Sequence, residues 1–236
     1  RLIVEGERRV YADRATHLGD PDFYNVPQPH LLASDYARAR MSTFRWEKAT
    51  PSSEVKAGEI AAYESAETTH FSIVDREGNA VSVTTTLNGS YGSKVFVKGA
   101  GFLLNNEMDD FSVKPGVPNM YGLVGGEANS ISPGKRMLSS MTPTILEKGN
   151  DLFMVEGTPG GSTIITSVFQ TILNVVDFEK SMQPAVSARR FHHQWLPDQV
   201  MFEEGAIDSA AQRTLSSKGY SLHQRTGTSG RGDAIL

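Results

Sequence analysis

The segment ETTHFSIVDREGNAVSVTTT, residues 67–86, decides the class of fold. It contains two runs rich in Val, Ile, Thr and Phe, from His70 to Val74 and from Ala80 into Leu87. The polar stretch Asp75-Arg76-Glu77-Gly78-Asn79 separates the two runs. β-Branched and aromatic residues on either side of a glycine-containing loop predict a β-hairpin.

Further elements follow toward the C-terminus. A second hairpin is predicted from Thr144 to Glu156, with its turn at Gly149-Asn150. Apolar residues between Ser162 and Phe178 recur at helical spacing and predict a helix with a broad apolar face. A last helix is predicted from Ser209 to Lys218, with Asp208 as its N-cap.

The residues before position 67 are charged and rich in loop signals. A turn is predicted at Gly19-Asp20-Pro21-Asp22, and a short helix from Ser34 as N-cap through about Arg40. Residues 49–61 are predicted to form an extended connector. Strands followed by helices, without regular βαβ alternation, predict an α+β fold with mostly antiparallel strands.

Length, charge and composition exclude several classes of protein. The 236 residues carry a formal net charge of −4, so no basic excess favours binding to nucleic acid or to an anionic membrane. No apolar run approaches the ~20 residues that a membrane-spanning helix needs. The chain has no cysteine, which excludes disulfides, thiolate metal sites and cysteine nucleophiles. It starts at Arg1, without an initiator methionine or a signal peptide, so we expect an internal piece of a longer product.

Thr68 is a candidate nucleophile, because Ser, Thr and Lys remain once cysteine is excluded. The serine motif Gly-x-Ser-x-Gly is absent. A threonine hydroxyl needs a base, and its own α-amino group, with a pKa of ~7.7–8.0, suits that role once the preceding bond is cleaved. Such a threonine should lie between a connector and a strand, as Thr68 does. The alternative is an ordinary Thr-Thr pair within a strand.

A glycine-rich segment, Gly157-Thr158-Pro159-Gly160-Gly161-Ser162, lies between a predicted strand and the apolar helix. Glycine lets a backbone approach a ligand closely, and a helix start offers free N–H groups. These features suit an oxyanion hole or a carboxylate site. The alternative is a tight strand-to-helix turn.

Two other segments place polar groups at strand ends. Residues 103–111 include two asparagines and three acids, which can hold an ammonium group or form a solvated loop. Their spacing matches no Ca²⁺ loop. In residues 135–143, the paired hydroxyls of Ser139 and Ser140 can bind a carboxylate or cap a turn.

Two conspicuous motifs have structural explanations. His192 and His193 are neighbours, and neighbouring side chains on a strand point to opposite faces, so we expect packing or hydrogen bonding rather than a shared metal. Arg231-Gly232-Asp233 is expected to lie in a glycine-rich turn.

Read together, these segments resemble the γ-glutamyltranspeptidase (glutathione hydrolase) family of N-terminal nucleophile hydrolases. The resemblance covers nearly all of the chain. The matching motifs, in chain order, are Tyr11-Ala12-Asp13-Arg14, Leu18-Gly19-Asp20-Pro21-Asp22-Phe23, Pro51-Ser52-Ser53-Glu54, Tyr63-Glu64-Ser65, Thr68-Thr69-His70, Leu104-Asn105-Asn106-Glu107-Met108-Asp109-Asp110-Phe111, Pro115-Gly116-Val117-Pro118-Asn119, Tyr121-Gly122-Leu123-Val124-Gly125-Gly126, Leu138-Ser139-Ser140-Met141-Thr142-Pro143, Pro159-Gly160-Gly161-Ser162 and Arg190-Phe191-His192-His193-Gln194-Trp195-Leu196-Pro197.

The resemblance implies a four-layer αββα sandwich, incomplete in this chain, and a precursor that cuts itself at Glu67–Thr68. Residues 1–67 would be the C-terminal end of the large subunit with its connector. Residues 68–236 would be the small, catalytic subunit without its last strands. The remainder of the large subunit, which holds the family's carboxylate-binding arginine, would be a partner. The implied location is periplasmic or extracellular.

The resemblance also implies the catalytic roles. Thr68 would be the nucleophile, Thr86 would orient it, and the N–H groups of Gly160 and Gly161 would hold the oxyanion. Tyr121, in the lid loop, would be the gate between acceptor and water. The implied reaction is cleavage of γ-glutamyl amides such as glutathione through a threonine acyl-enzyme, without a metal or organic cofactor. The acyl group would pass to water, an amino acid or a dipeptide.

The implied substrate subsite has two ends. Asn88, Glu107 and Asp110 would recognise the α-amino group of the γ-glutamyl moiety and nearby polar atoms. Ser139 and Ser140 would help to hold its α-carboxylate.

Two alternatives stay open. A related cephalosporin acylase shares the fold, but the acids Glu107 and Asp110 suit an amino-acid ammonium group and favour a γ-glutamyl substrate. An unprocessed fragment that binds γ-glutamyl compounds, or only packs against a missing partner, would need no free amine on Thr68.

Overall fold

Residues 1–55 and 68–236 are described by the computed structural model of the chain. The helices within them are α1 (Leu2–His17), α2 (Gln28–Leu31), α3 (Ser34–Met41), α4 (Ile164–Val176), α5 (Met182–Ser187) and α6 (Ser209–Ser217). The strands are β1 (Thr68–Val74), β2 (Ala80–Thr86), β3 (Phe96–Val97), β4 (Phe102–Leu103), β5 (Thr144–Lys148), β6 (Asp151–Gly157), β7 (Phe191–His192), β8 (Val200–Glu203), β9 (Leu222–Arg225) and β10 (Asp233–Ile235).

The predicted first hairpin is confirmed, since β1 and β2 pair antiparallel. Its loop closes on Asp75, whose carboxylate accepts hydrogen bonds from the backbone N–H groups of Glu77 and Asn79. The register pairs Thr68 with Thr86 at the open end. Two threonines that are 18 residues apart therefore lie side by side.

The second hairpin is also confirmed, and a third strand extends it, so the sheet order is β10-β6-β5. The first hairpin packs against this sheet, and the Ser82 hydroxyl donates to the Glu156 carbonyl at 2.9 Å. At the end of β6, a Cβ on Gly157 would overlap the His70 ring. A glycine at this position therefore allows β6 to pass close to β1.

A third sheet has the order β7-β8-β9, with β8 and β9 parallel. The connection between these two strands is α6, which starts as predicted, because the Asp208 side chain accepts from the Ala211 N–H at 2.7 Å. The described structure is thus a mixed α+β fold. β3 and β4 form a short separate hairpin.

The longest of the described helices, α1, lies where the sequence predicts a charged, loop-rich segment. That prediction is wrong because α1 buries charged residues alongside the apolar side chains of its inner face. Glu5 is 0% exposed and Arg9 is 3% exposed, and their side chains pair at 2.6 Å. Arg8 is equally buried and pairs with Asp198. Apolar periodicity, the main sequence signal for a helix, is therefore weak here.

Two smaller predictions in this region are corrected. α3 begins at Ser34 itself, so the N-cap is Ala33. The predicted connector is not extended at Ser52–Val55, which form a 3₁₀ turn. The Ser52 hydroxyl anchors this turn by donating to the Trp195 carbonyl at 2.6 Å. Residues 56–61 of the predicted connector lie outside the described residues.

The apolar helix is present as α4, but its buried face differs from the prediction. Phe169 and Val176, expected on the apolar face, are exposed. Thr166 and Gln170 are buried instead, because they have partners. The Thr166 hydroxyl bonds the His192 ring at 2.8 Å, and Gln170 bonds the backbone of β7. Buried polar groups are tolerated when they are hydrogen-bonded in this way.

The apolar core is divided into clusters that tie the helices to the sheets. One cluster joins Tyr11 of α1 to Trp195 and Leu196. Another places Met154 of β6 against Val175 of α4. The elements that precede residue 56 and those that follow residue 67 therefore share one interior.

Glu5→Gln should destabilise the fold strongly. Burial raises the pKa of Glu5, but hydrogen bonds, first among them the one from Arg9, hold it below its usual value, so the carboxylate is charged. Removing that charge leaves the buried Arg9 without its counter-ion, which should lower the free energy of unfolding by about 3 kcal/mol. Asp35→Asn is the matched control, because the Asp35–Arg38 pair is exposed. Urea denaturation of both variants measures the difference, and equal midpoints would contradict the prediction.

Candidate active site

Thr68 is the first residue of β1, and its hydroxyl is held at the open end of the first hairpin. Its Oγ1 donates to Thr86 Oγ1 at 3.2 Å. Thr86 Oγ1 also accepts from the Asn88 N–H at 2.9 Å. Asn88 is buried and adopts a left-handed backbone with φ of 72°, which turns the chain directly after β2. Hydrogen bonding therefore fixes the position of the Thr68 hydroxyl.

The glycine-rich segment forms the connection from β6 to α4. Gly160 has φ of 144° and Gly161 has φ of 56°, both in the region that favours glycine. The Thr163 hydroxyl donates to the Gly160 carbonyl at 2.7 Å. The Tyr11 hydroxyl of α1 donates to the Ser162 carbonyl at 2.6 Å. With these carbonyls held, the loop has a defined orientation at the start of α4.

One pocket joins residues from six separate parts of the chain. It is lined by residues that the sequence nominates for catalysis, recognition and gating, together with two apolar side chains. These residues are Thr68, Thr86, Asn88, Asp110, Tyr121, Ser139, Ser140, Met141, Gly161 and Ile164. A hydroxyl, a glycine loop at a helix start, a carboxylate and paired serines thus face the same space.

The charge in this pocket is concentrated at Asp110. Burial raises the pKa of Asp110 to about 7. The Arg14 guanidinium opposes that rise, while the carboxylates of Glu107 and Asp109 add to it. Near neutral pH, Asp110 therefore lies close to its titration midpoint.

The paired serines differ in their contacts. Ser139 Oγ accepts from the Met141 N–H at 3.1 Å, so this hydroxyl caps a turn while it lines the pocket. Ser140 Oγ accepts from Arg14 Nη2 at 3.1 Å. No local sequence signal connects Arg14 to this site, because it lies 126 residues from Ser140 along the chain.

Tyr121 forms part of the pocket wall. Its hydroxyl donates to the Asn88 carbonyl at 2.7 Å, and its own carbonyl accepts from Gln194 Nε2 at 2.9 Å. The ring is buried. In this conformation, the segment that contains Tyr121 is hydrogen-bonded to Asn88, two residues after the end of β2.

Two nominated residues that the structure describes, Glu107 and Gly160, do not line the pocket. Glu107 lies in the same 3₁₀ turn as Asp110, and burial raises its pKa. Gly160 directly precedes the pocket residue Gly161. Glu67 lies outside the described residues.

The adjacent histidines and the Arg231-Gly232-Asp233 segment both take part in structural hydrogen bonds. His192 and His193 are buried, and their ring nitrogens engage Thr166, Gln194 and Asp198, as the predicted packing and hydrogen-bonding role requires. Asp233 begins β10 rather than lying in a turn, and its carboxylate accepts from a backbone N–H of β1. Among residues 1–55 and 68–236, no group of three or more His, Asp or Glu side chains could hold a metal ion.

Comparison with known proteins gives a consistent result. A family model described as Gamma-glutamyltranspeptidase matches residues 1–236. The glutathione hydrolase proenzyme of Escherichia coli is 51% identical over 222 residues, which are 94% of this chain and 38% of that protein. The crystal structure of a mutant γ-glutamyltranspeptidase from Helicobacter pylori is 55% identical with a TM-score of 0.69, covering 71% of this chain and 90% of that chain. The acylase ACY 1 proenzyme of a Pseudomonas species is 35% identical over 234 residues, which are 99% of this chain and 39% of that protein.

The chain belongs to the γ-glutamyltranspeptidase family, a family of N-terminal nucleophile hydrolases. It spans about two fifths of the length of the curated relatives that it matches, 38% in the case of the Escherichia coli protein. Within residues 1–55 and 68–236, none of the helices has the length and hydrophobicity of a membrane span.

Proposed function

We propose that this chain carries the active site of a self-processing γ-glutamyl hydrolase and transferase that cleaves γ-glutamyl amides such as glutathione. The observation that carries the proposal is the pocket that Thr68 shares with Gly161, Asp110 and Ser140. This reaction needs a nucleophile, an oxyanion donor, and groups that bind the ammonium and the carboxylate of an amino acid.

Maturation would start from the intact precursor. The Thr68 hydroxyl attacks the Glu67 carbonyl carbon, the Glu67–Thr68 C–N bond breaks, and an ester joins Glu67 to Thr68 Oγ1. The α-amino nitrogen released by this step takes the hydroxyl proton. Water then hydrolyses the ester, which releases the Glu67 carboxylate and restores the Thr68 hydroxyl beside its free α-amino group. Residues 1–67 become the end of the large subunit, and residues 68–236 belong to the small subunit. The name proenzyme, carried by the Escherichia coli relative, supports this step.

Catalysis would use the amine that maturation frees. The α-amino group takes the proton of the Thr68 hydroxyl as Oγ1 attacks the γ-glutamyl carbonyl, and Thr86 orients the attacking oxygen. The N–H groups of Gly160 and Gly161 stabilise the resulting oxyanion. The leaving amine takes the proton as the C–N bond breaks and the threonine ester forms. Water, an amino acid or a dipeptide then attacks the ester and releases the γ-glutamyl group.

Substrate recognition would use the charges of the pocket. The ionised carboxylate of Asp110, with Asn88 beside it, binds the α-ammonium group, and Ser139 and Ser140 bind the α-carboxylate. Glu107, in the same 3₁₀ turn, adds negative charge that acts on Asp110. Tyr121 gates the approach of the acceptor. This arrangement favours a γ-glutamyl substrate over the acyl group of a cephalosporin acylase, in line with 51% identity to a glutathione hydrolase against 35% to an acylase.

The architecture around the site, the partner subunit and the cellular location would be those of the family. Phe71, Ile73 and Val81 are exposed on the outer face of the first hairpin, which supports a further layer there, as in a four-layer αββα sandwich. The remainder of the large subunit is the proposed partner. A periplasmic or extracellular location is proposed from the family alone.

The test is intact mass spectrometry of the purified chain, followed by an assay with L-γ-glutamyl-p-nitroanilide. Cleavage into pieces of 67 and 169 residues, with release of the anilide product, is the expected result. A single species of 25.7 kDa without activity would reject the proposal for this chain and favour a packing or binding module.

The pH dependence of substrate affinity should follow Asp110. Because burial raises the pKa of Asp110 to about 7, KM for the γ-glutamyl anilide should fall as the pH rises through about 7 and the carboxylate becomes ionised. The glutaryl anilide, which lacks the α-amino group, should show no such change in KM. Steady-state measurement of KM for both substrates, between about pH 5.5 and 8.5 in steps of about half a pH unit, distinguishes them. A pH-independent KM for the γ-glutamyl substrate would contradict the assignment.

A further inference from the structure

Arg14 belongs to α1, before the proposed cleavage site, yet it reaches the pocket formed by residues after that site. Its Nη2 donates to Ser140 Oγ at 3.1 Å, and it lines a small cavity with Asp110. We infer that Arg14 is a positioning residue that sets the polarity of both ends of an α-amino-acid subsite, acting through Ser140 and Asp110. The inference rests on the proposed function and specifies how its substrate is recognised.

At the carboxylate end, Arg14 directs the Ser140 proton. A serine hydroxyl has one donor and two acceptor sites. Because Ser140 Oγ accepts from the guanidinium, its single proton is available to a different acceptor. Ser140 lines the pocket, so a carboxylate oxygen bound there can receive that proton in a hydrogen bond. The nearby positive charge of Arg14 strengthens the same interaction.

At the ammonium end, Arg14 is the counter-charge of Asp110. The charged groups that act on Asp110 are Arg14 from α1 and the carboxylates of Glu107 and Asp109 from its own turn. The two acids oppose ionisation of Asp110, as burial does, and the guanidinium favours it. Burial lowers the pKa of Arg14, and the charges of Tyr11 and Asp110 oppose this change. An arginine remains protonated at neutral pH, so its charge is constant.

The two effects together select a ligand with both an ammonium and a carboxylate on one carbon. The probes are L-glutamate, glutarate, which lacks the ammonium, and 4-aminobutyrate, which lacks the α-carboxylate. Isothermal titration calorimetry with the full chain measures their affinities. The titration midpoint of Asp110, assigned with Asp110→Asn, is measured independently by ¹³C NMR of the carboxyl groups.

The wild-type chain should bind L-glutamate more tightly than either analogue. Arg14→Gln should weaken L-glutamate binding about tenfold at pH 7, the effect of losing one charge-assisted interaction. It should reduce the preference over 4-aminobutyrate and raise the Asp110 midpoint. Arg14→Lys should restore the midpoint, because it keeps the charge. Arg38→Gln changes an exposed arginine of α3 and should alter none of these values.

Ser140→Ala separates the two effects and serves if Arg14→Gln does not fold. It should reduce the preference for L-glutamate over 4-aminobutyrate and leave the Asp110 midpoint unchanged. The inference is overturned if the wild-type chain shows no preference for L-glutamate, or if Arg14→Gln keeps both the affinity and the midpoint. Arg14-dependent binding in a chain that neither cleaves itself nor hydrolyses the anilide would retain the inference and reject the proposed function. Hydrolysis of the anilide at an unchanged rate in Arg14→Gln would retain the proposed function and reject the inference.

Discussion

Thr68→Ala should abolish both cleavage at Glu67–Thr68 and γ-glutamyl hydrolysis. The change removes the hydroxyl that attacks the Glu67 carbonyl and, later, the substrate. Removal of a catalytic nucleophile lowers kcat by a factor on the order of 10⁶ in a well-studied serine protease, and we expect a loss of at least about 10⁴ here. The hydrogen bond to Thr86 is also lost, but the β1–β2 register that holds the hairpin remains. Intact mass and the anilide assay measure the two effects.

Two variants complete this test. Thr68→Ser keeps a hydroxyl and an α-amino group, so cleavage and some hydrolysis should persist. Thr69→Ala removes the same kind of side chain from the next position, which points to the opposite face of β1 and is exposed. It should cleave normally. Pieces of 67 and 169 residues from Thr68→Ala would show that another group performs the cleavage.

Gly160→Ala should reduce kcat by a factor of about 10² to 10³, the range found when one oxyanion donor is lost. A Cβ at this position would lie 2.8 Å from Thr163 Oγ1, the atom that holds the Gly160 carbonyl. The φ of 144° is also unfavourable for alanine. The loop must therefore shift, and the N–H groups of Gly160 and Gly161 move away from the oxyanion position. KM should change little, because Asp110 and the serines stay in place.

Gly149→Ala is the control for a strained backbone without a catalytic role. Gly149 has φ of 68° in the β5–β6 turn, and a Cβ there would meet nothing within 4 Å. It should lower stability slightly and leave kcat unchanged. If Gly160→Ala keeps the wild-type kcat after correction for the folded fraction, the proposed oxyanion role of the loop is wrong.

Elements with a strong local signal could be predicted from the sequence. The two hairpins follow from β-branched residues on either side of glycine-containing turns, and α6 follows from the Asp208 cap. α1 could not be predicted in this way, because charged residues occupy about half of its buried positions. Whether Glu5 and Arg9 are buried as a pair or exposed to water depends on what packs against the helix, and local sequence does not specify that. The same reason explains the polar residues on the buried face of α4.

The nominated site residues show the same division. The residue types, the order of the motifs and the resemblance to the family follow from the sequence, and they suffice to nominate Thr68, Asp110 and the serines. That these groups share one pocket, and that Gly161 lines it while Glu107 does not, follows only from the packing of distant segments. The contact of Arg14 with Ser140, and the cavity that it lines with Asp110, arise in the same way. The functional group of each side chain is known from its residue type alone. The distances between such groups, their burial and the resulting pKa values arise only when distant segments pack together.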